Sequence, residues 1–309
     1  MAYVIAEAGA CHDGYMSVMR KMCYEAYEAG ADAIKFQWTS DANAMAERRG
    51  KAKEHGYASI YQKYLQWPYA WHDELQKLTV ELGMEYLCTV YLPEDVRLVA
   101  PYVERFKVSS FESLDYEFIS AHAPYIGPDD DRDLLISTGM TDSSQLEEMV
   151  VRVLRERLPK DSWTLLHCVS SYPAPLCDLN LRSIFSSWTT AAPLFGFSDH
   201  SEPQHTFTGA LAVAAGAEII EAHFKHEETD FHNPDAPHAM TVEQLTDYIS
   251  MIRETELVVG GVEDSDCPKR VQDSEAGMMK FKVEPPPLPE PEPKMFMATT
   301  KDVVERTYK

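Results

Sequence analysis

The chain of 309 residues reads as an α/β protein folded into a (β/α)8 TIM barrel with a proline-rich C-terminal tail, and two observations carry that reading. Short apolar runs recur about eight times without polar alternation, the pattern of strands buried on both faces of a parallel sheet. Each run precedes a stretch of helical periodicity, and β and α alternating at this spacing imply parallel strands joined by helical crossovers. Eight repeats favour a closed barrel over an open doubly wound sheet, and about 250 residues suffice for one such domain.

Strands are expected over residues 3–6, 33–37, 86–90, 105–109, 134–137, 164–169, 194–197 and 218–223. Helices are expected over 16–29, 70–82, 94–100, 115–122, 143–157, 181–188, 205–215 and 242–258. Gly30 and Gly216 stand where helices should stop, a position that favours the left-handed conformation glycine adopts freely.

Two segments break the rhythm. Residues 38–67 form a long, polar, Tyr-rich insertion after the second strand, either a lid of the kind long βα loops supply or a plain surface excursion. Residues 285–293 read PPPLPEPEP, an extended linker by composition, and residues 294–309 beyond them are too few for a domain. The expected division is a barrel over 1–262 and an extended tail over 263–309.

Composition excludes some functions. With 28 Lys+Arg against 50 Asp+Glu the net charge is −22, which repels a phosphate backbone, so no nucleic-acid partner is expected. No apolar run approaches the roughly 18 residues a membrane span needs, and no secretory leader is visible, so the expectation is a soluble cytoplasmic protein without a membrane partner. The six cysteines are scattered without a CxxC pair, which points to reduced thiols.

Active sites of parallel barrels lie at the C-terminal strand ends, and here those ends are unusually polar. Glu7 follows strand one, and Lys35 and Gln37 lie on strand two. Thr89 ends strand three; Lys107, Ser110 and Glu112 belong to strand four and its loop. Ser137, Ser170, Ser198, His200 and His223 sit at the ends of strands five to eight. Any one could be a rim lysine, a core histidine or a helix cap, but buried charges need partners and all of these would converge on one mouth. Lys35 and Lys107 with Thr89, Ser110, Ser170 and Ser198 are the donor inventory for a small anion with carboxylate and phosphate groups, held in a locally positive pocket. His200 and His223, with Glu7 on the neighbouring strand, could hold a divalent transition metal with open positions.

The motifs VIAEAGACHDG, GADAIKFQ, FKVSSFES, LLISTGM, LLHCVSSYPAP, GFSDH and EIIEAHF, in chain order over roughly residues 3–260, resemble the N-acetylneuraminate (sialic acid) synthase family. The resemblance implies condensation of phosphoenolpyruvate with an N-acetylmannosamine-like acceptor to a 2-keto acid, with release of phosphate. It implies a divalent metal at His200 and His223, Mn²⁺ foremost and Mg²⁺ or Co²⁺ as alternatives, polarising the acceptor's aldehyde oxygen. Phosphoenolpyruvate is implied at Lys35, Thr89, Lys107, Ser110 and Ser198, and the acceptor at Glu7, Gln37, Glu112, Tyr172 and Asp235. The site so assembled counts Glu7, Lys107, Glu112, His200 and His223 as catalytic, with Ser137 and Ser170 among the substrate-binding hydroxyls.

The chain departs from the family pattern in places. Cys11-His12 replaces an Asn-His pair, and Ser170 stands where a phosphate-binding Asn is expected. The tail does not read as the antifreeze-like domain that family members usually carry, which leaves open both the acceptor and the homodimer the family implies. Competing readings are a Schiff-base aldolase using Lys35 or Lys107 and a catalytically silent barrel serving as a binding protein.

Overall fold

The computed structural model describes residues 1–51, 56–127, 132–149, 154–159, 162–182 and 194–259, and it contains the closed parallel barrel. Its strands are β1 (Tyr3–Gly9), β2 (Ala33–Gln37), β3 (Glu85–Thr89), β4 (Arg105–Val108), β5 (Asp133–Ser137), β6 (Trp163–Cys168), β7 (Leu194–Asp199) and β8 (Ile219–His223). They pair in chain order and β8 closes on β1. Met1–Gly261 form one compact unit.

Alternation along the strands stacks the interior in layers, as barrels of this class do. At the N-terminal end the Tyr3 hydroxyl donates to Glu85 at 2.5 Å, and Arg105 joins Glu85 at 2.5 Å while lying over the Tyr3 ring. Two residues further along, Ile5, Ala33, Leu87, Leu135, Leu166 and Ile219 form an apolar layer. Two residues beyond that the layer turns polar with Glu7, Lys35, Lys107 and Glu221, all buried. Gly196 belongs to the crowded middle: a Cβ there would lie 2.3 Å from Leu166 and 2.7 Å from the Ile219 carbonyl.

The strand register sets these groups side by side. Glu7 pairs with Lys35 on one side and with His223 on the other, Gln37 with Thr89, and Thr89 with Lys107. β1 runs three residues past the expected 3–6, because the charged Glu7 ends the apolar run without ending the hydrogen-bond ladder. β7 likewise continues through Ser198 and Asp199.

Helices α1 (Met16–Glu28), α2 (Ala42–Arg48), α3 (Tyr57–Tyr64), α4 (Trp71–Glu81) and α5 (Pro93–Val99) lead the outer layer. In α1, Met19, Met22, Cys23 and Ala26 face the barrel at helical spacing. The insertion over 38–67 is a wall with its own core. Asp41 caps α2 by accepting from the backbone N–H groups of Asn43 and Ala44, and Met45, Ala46, Tyr61 and Tyr64 pack against Ala10, Tyr91 and Leu92. A side chain such as Met45 or Leu92 contributes about 1.5–3 kcal/mol when fully buried. The wall is tied down by reciprocal indole bonds, Trp38 Nε1 to the Trp67 carbonyl at 2.9 Å and Trp67 Nε1 to the Gln37 carbonyl at 3.0 Å.

The stretch expected as one helix over 143–157 contains Ser143–Met149 and a single turn at Arg155–Arg157, with 150–153 outside the described residues. Most of the expected helix 181–188 and the whole tail 263–309 also lie outside them. Among the described residues no helix is long and apolar enough to cross a membrane.

Candidate active site

A cavity of about 330 Å³ opens at the C-terminal mouth of the barrel. Every residue expected from the strand ends or the resemblance lines it except Glu112, which lies just behind the wall.

One half is cationic and hydroxylic. Lys35 Nζ lies 2.7 Å from Glu7 Oε2 and 3.4 Å from Glu221 Oε2, and donates to Thr89 Oγ1 at 2.9 Å. Lys107 Nζ donates to Ser137 Oγ at 2.8 Å and lies 3.6 Å from Glu221 Oε1. Ser198 Oγ donates to the same Glu221 oxygen at 2.9 Å.

Glu221 is one lining residue that the sequence reading misses. It sits inside an apolar strand run, and its one visible signal was a spacing of two from His223, which puts both side chains inside the barrel. Its presence corrects the expected locally positive pocket to a charge-balanced one, since both lysines have carboxylate partners. Burial disfavours the Glu221 carboxylate, but Lys107 and Lys35 outweigh it and hold its pKa at about 2. Burial also opposes the charge on each lysine; Lys35, between two carboxylates, ends raised, whereas Lys107, with one more distant partner, ends lowered. Burial raises Glu7, helped by Glu221, even though Lys35 and a 2.6 Å bond from Gln37 favour its ionised form.

A small cup adjoins Lys107. The Gly139 N–H donates to Ser110 Oγ at 3.2 Å, and Ser110 Oγ lies 2.9 Å from Cys168 Sγ. A Cβ at Gly139 would sit 2.2 Å from Ser170 Oγ and 2.8 Å from Ser110 Oγ, so only glycine leaves the cup open. Ser170 Oγ is buried without a partner. An orphaned hydroxyl beside a lysine and two further hydroxyls is a site prepared for anionic oxygen atoms.

The other half is imidazole. The rings of His200 and His223 are 5.5 Å apart, and Tyr172 lies 4.3 Å from His200. His200 Nδ1 is 3.0 Å from the Val169 carbonyl, which only a protonated Nδ1 can satisfy, so the lone pair is on Nε2. His223 Nδ1 is buried without a partner. Burial lowers the pKa of both, that of His223 further because His238 and His200 crowd it, so both rings are neutral at pH 7.

Neutral imidazoles with available nitrogens are what a divalent cation requires. Among the described residues no group of three or more His, Cys, Asp or Glu side chains is arranged around one ion position. The lone pair on His200 Nε2 and the unpartnered His223 Nδ1 would suit a cation held by these two residues with its other positions left to substrate oxygen or water. Asp235 closes this side: its Oδ2 accepts from the Ala10 N–H at 2.7 Å, and a Cβ on Gly9 would meet Asp235 Oδ2 at 2.2 Å and His223 Nδ1 at 3.2 Å.

On the remaining side Tyr91, Ser109 and Phe111 line the cavity, and the insertion adds one residue. Arg49, at the end of α2, lines the cavity and grips Glu112 with Nε to Oε1 at 2.7 Å and Nη2 to Oε2 at 2.9 Å. Arg49 was not a sequence candidate, because nothing in a polar insertion marks one arginine among several charged residues as buried.

A sequence profile of the NeuB family matches residues 22–264. The chain is 30% identical over 282 residues to an N,N'-diacetyllegionaminic acid synthase of Legionella pneumophila, covering 87% of this chain and 77% of that protein. It is 32% identical over 232 residues to an N-acetylneuraminate-9-phosphate synthase of Drosophila melanogaster, covering 72% of this chain and 59% of that protein. The barrel superposes with a TM-score of 0.76 on the N-acetylneuraminic acid synthetase of Leptospira borgpetersenii in complex with citrate, at 24% identity and covering 91% of this chain and 93% of that one.

Proposed function

The chain is an enzyme of the NeuB family, and from that premise we propose that it condenses phosphoenolpyruvate with the open-chain aldehyde of an amino sugar. The products are a nonulosonic-type 2-keto acid and phosphate. The observation that supports this most is the presence in one cavity of two complementary parts: a lysine and hydroxyl cup for a small anion, and a pair of neutral imidazoles.

Lys107, Ser110 and Ser170 would receive the phosphate, with Ser137 and Ser198 fixing Lys107 and Glu221 behind it. Lys35, steered by Thr89, would hold the carboxylate and keep C3 facing the acceptor; such orientation can supply roughly 7–11 kcal/mol in well-aligned systems. A divalent cation at His200 and His223, most suitably Mn²⁺ with Mg²⁺ or Co²⁺ as alternatives, would polarise the aldehyde oxygen.

The C3–C1 bond forms as the enol π electrons leave C2, and the aldehyde oxygen, left as an alkoxide, becomes a hydroxyl with the proton that the attacking water releases by way of Glu7. Water adds to the electron-poor C2, and its proton passes to a carboxylate, for which Glu7 is placed. Collapse of that adduct breaks the C2–O bond, expels phosphate and leaves the ketone. Gln37, Tyr172 and Asp235 would orient the acceptor above the imidazole pair.

The reading is tested by incubating the protein with phosphoenolpyruvate and each of Mn²⁺, Mg²⁺ and Co²⁺ against a panel of aldoses and N-acylated hexosamines, following phosphate and keto acid together. Acceptor-dependent, stoichiometric release of both is expected. Silence across the panel, or phosphate without keto-sugar acid, would count against it.

A further inference from the structure

The acceptor side of the cavity contains a feature that this condensation does not by itself require. Arg49 is carried by the insertion, its side chain only 15% exposed, and its guanidinium lies 4.5 Å from the Tyr91 ring and 4.6 Å from the Phe111 ring. Contact with both rings leaves it little rotamer freedom. Its bidentate bond to Glu112 occupies both carboxylate oxygens, and Ser109 Oγ donates to one of them as well. Glu112 is thereby withdrawn from the cavity, and Arg49 is the group that lines it.

The charge count is informative. Lys35, Lys107 and Arg49 are the cations lining the cavity among the described residues, and each is paired with a carboxylate. Phosphoenolpyruvate would engage the two lysines. On the acceptor side the charge of Arg49 is cancelled by Glu112, and Asp235 adds a further carboxylate. Lys107 has its partner at 3.6 Å, whereas Arg49 is held bidentately at 2.7 and 2.9 Å, so a second phosphate group on the acceptor side would meet a more fully cancelled cation.

We propose that Arg49 is the acceptor-side specificity residue, donating to an oxygen of the sugar, with Glu112 as the residue that positions it and cancels its charge, so that the enzyme selects an uncharged acceptor over a phosphorylated one. The inference rests on the condensation reading above. It adds that the insertion supplies a residue to the acceptor side.

The test measures kcat and KM for both substrates in the wild type and in R49K, R49A and E112Q, using N-acetylmannosamine and its 6-phosphate as acceptors, with thermal unfolding of each variant in parallel. R49A should raise the acceptor KM at least tenfold while the phosphoenolpyruvate KM stays within about threefold, and R49K should recover part of the loss. E112Q, which frees the Arg49 charge, should shift the kcat/KM preference at least tenfold toward the phosphorylated acceptor. Equal losses for both substrates in R49A and R49K, or an unchanged preference in E112Q, would overturn the inference while leaving the condensation intact. No turnover by the wild type with any acceptor of the panel would strike the condensation reading, and no turnover with these two alone would overturn this inference.

Discussion

The two halves of the barrel mouth handle burial in opposite ways. In the lysine half, charge is retained because Glu7 and Glu221 are buried with Lys35 and Lys107, each carboxylate within 4 Å of a lysine. In the imidazole half burial outweighs the pull of Glu221 and Asp199 on His200, and desolvation leaves both His200 and His223 neutral. The same low-dielectric environment thus prepares one side for an anion and the other for a cation. Partner placement, more than residue type, decides which.

That contrast can be broken most forcefully at its hinge. Replacing Glu221 by Gln leaves two buried lysines with one carboxylate, and removing one member of a buried pair typically costs about 3–5 kcal/mol. A fall in Tm of roughly 6–20 °C is expected for a barrel of this size, measured by calorimetry, with phosphoenolpyruvate restoring part of it. A change within about 2 °C would mean the lysines are not balanced as described.

The next test separates the halves. H223A should weaken Mn²⁺ binding on the order of 100-fold, read by the electron paramagnetic resonance of free Mn²⁺, while phosphoenolpyruvate affinity changes less than about threefold. K107M should do the reverse. Parallel losses in both variants would show that the halves are one coupled unit.

A smaller effect is expected from G139A. The added methyl overlaps Ser170 and Ser110 in the cup, and overpacking of this kind costs about 1–3 kcal/mol. Phosphoenolpyruvate affinity should fall about tenfold or more, with Mn²⁺ binding unchanged. The smallest expected change concerns pH. Protons compete with the metal only as pH falls toward the imidazole pKa, and burial has moved both pKa values below 6.5. Mn²⁺ affinity should therefore change less than about twofold between pH 7.5 and 6.5, where two ordinary imidazoles would lose about threefold. A threefold loss would place the rings in a solvated environment.

The contrast also explains what could be read from the chain alone. Lys35, Lys107, Thr89, His200 and His223 were legible because a parallel barrel aims the C-terminal ends of its strands at one mouth, so polar residues there converge wherever the helices lie. Glu221 was hidden inside an apolar run, and only its inward alternation with His223 gives it away. Arg49 and Glu112 are 63 residues apart, on α2 and the β4 loop, so their pairing depends on how the insertion seats against Tyr91 and Leu92, a tertiary fact no local pattern encodes. The end of β1 was misplaced for a related reason: hydrophobicity stops at the polar layer, whereas backbone pairing continues through it.

The central claim is that water adds to C2 of phosphoenolpyruvate once the lysine half has fixed it against an aldehyde on the imidazole half. It is tested most directly with phosphoenolpyruvate carrying ¹⁸O at the bridging C2 oxygen, turned over with Mn²⁺ and N-acetylmannosamine and followed by ³¹P NMR. Cleavage of the C2–O bond predicts that the label leaves with phosphate, seen as the isotope-shifted resonance. Label retained in the keto acid, with unlabelled phosphate released, would mean P–O cleavage and would contradict the account.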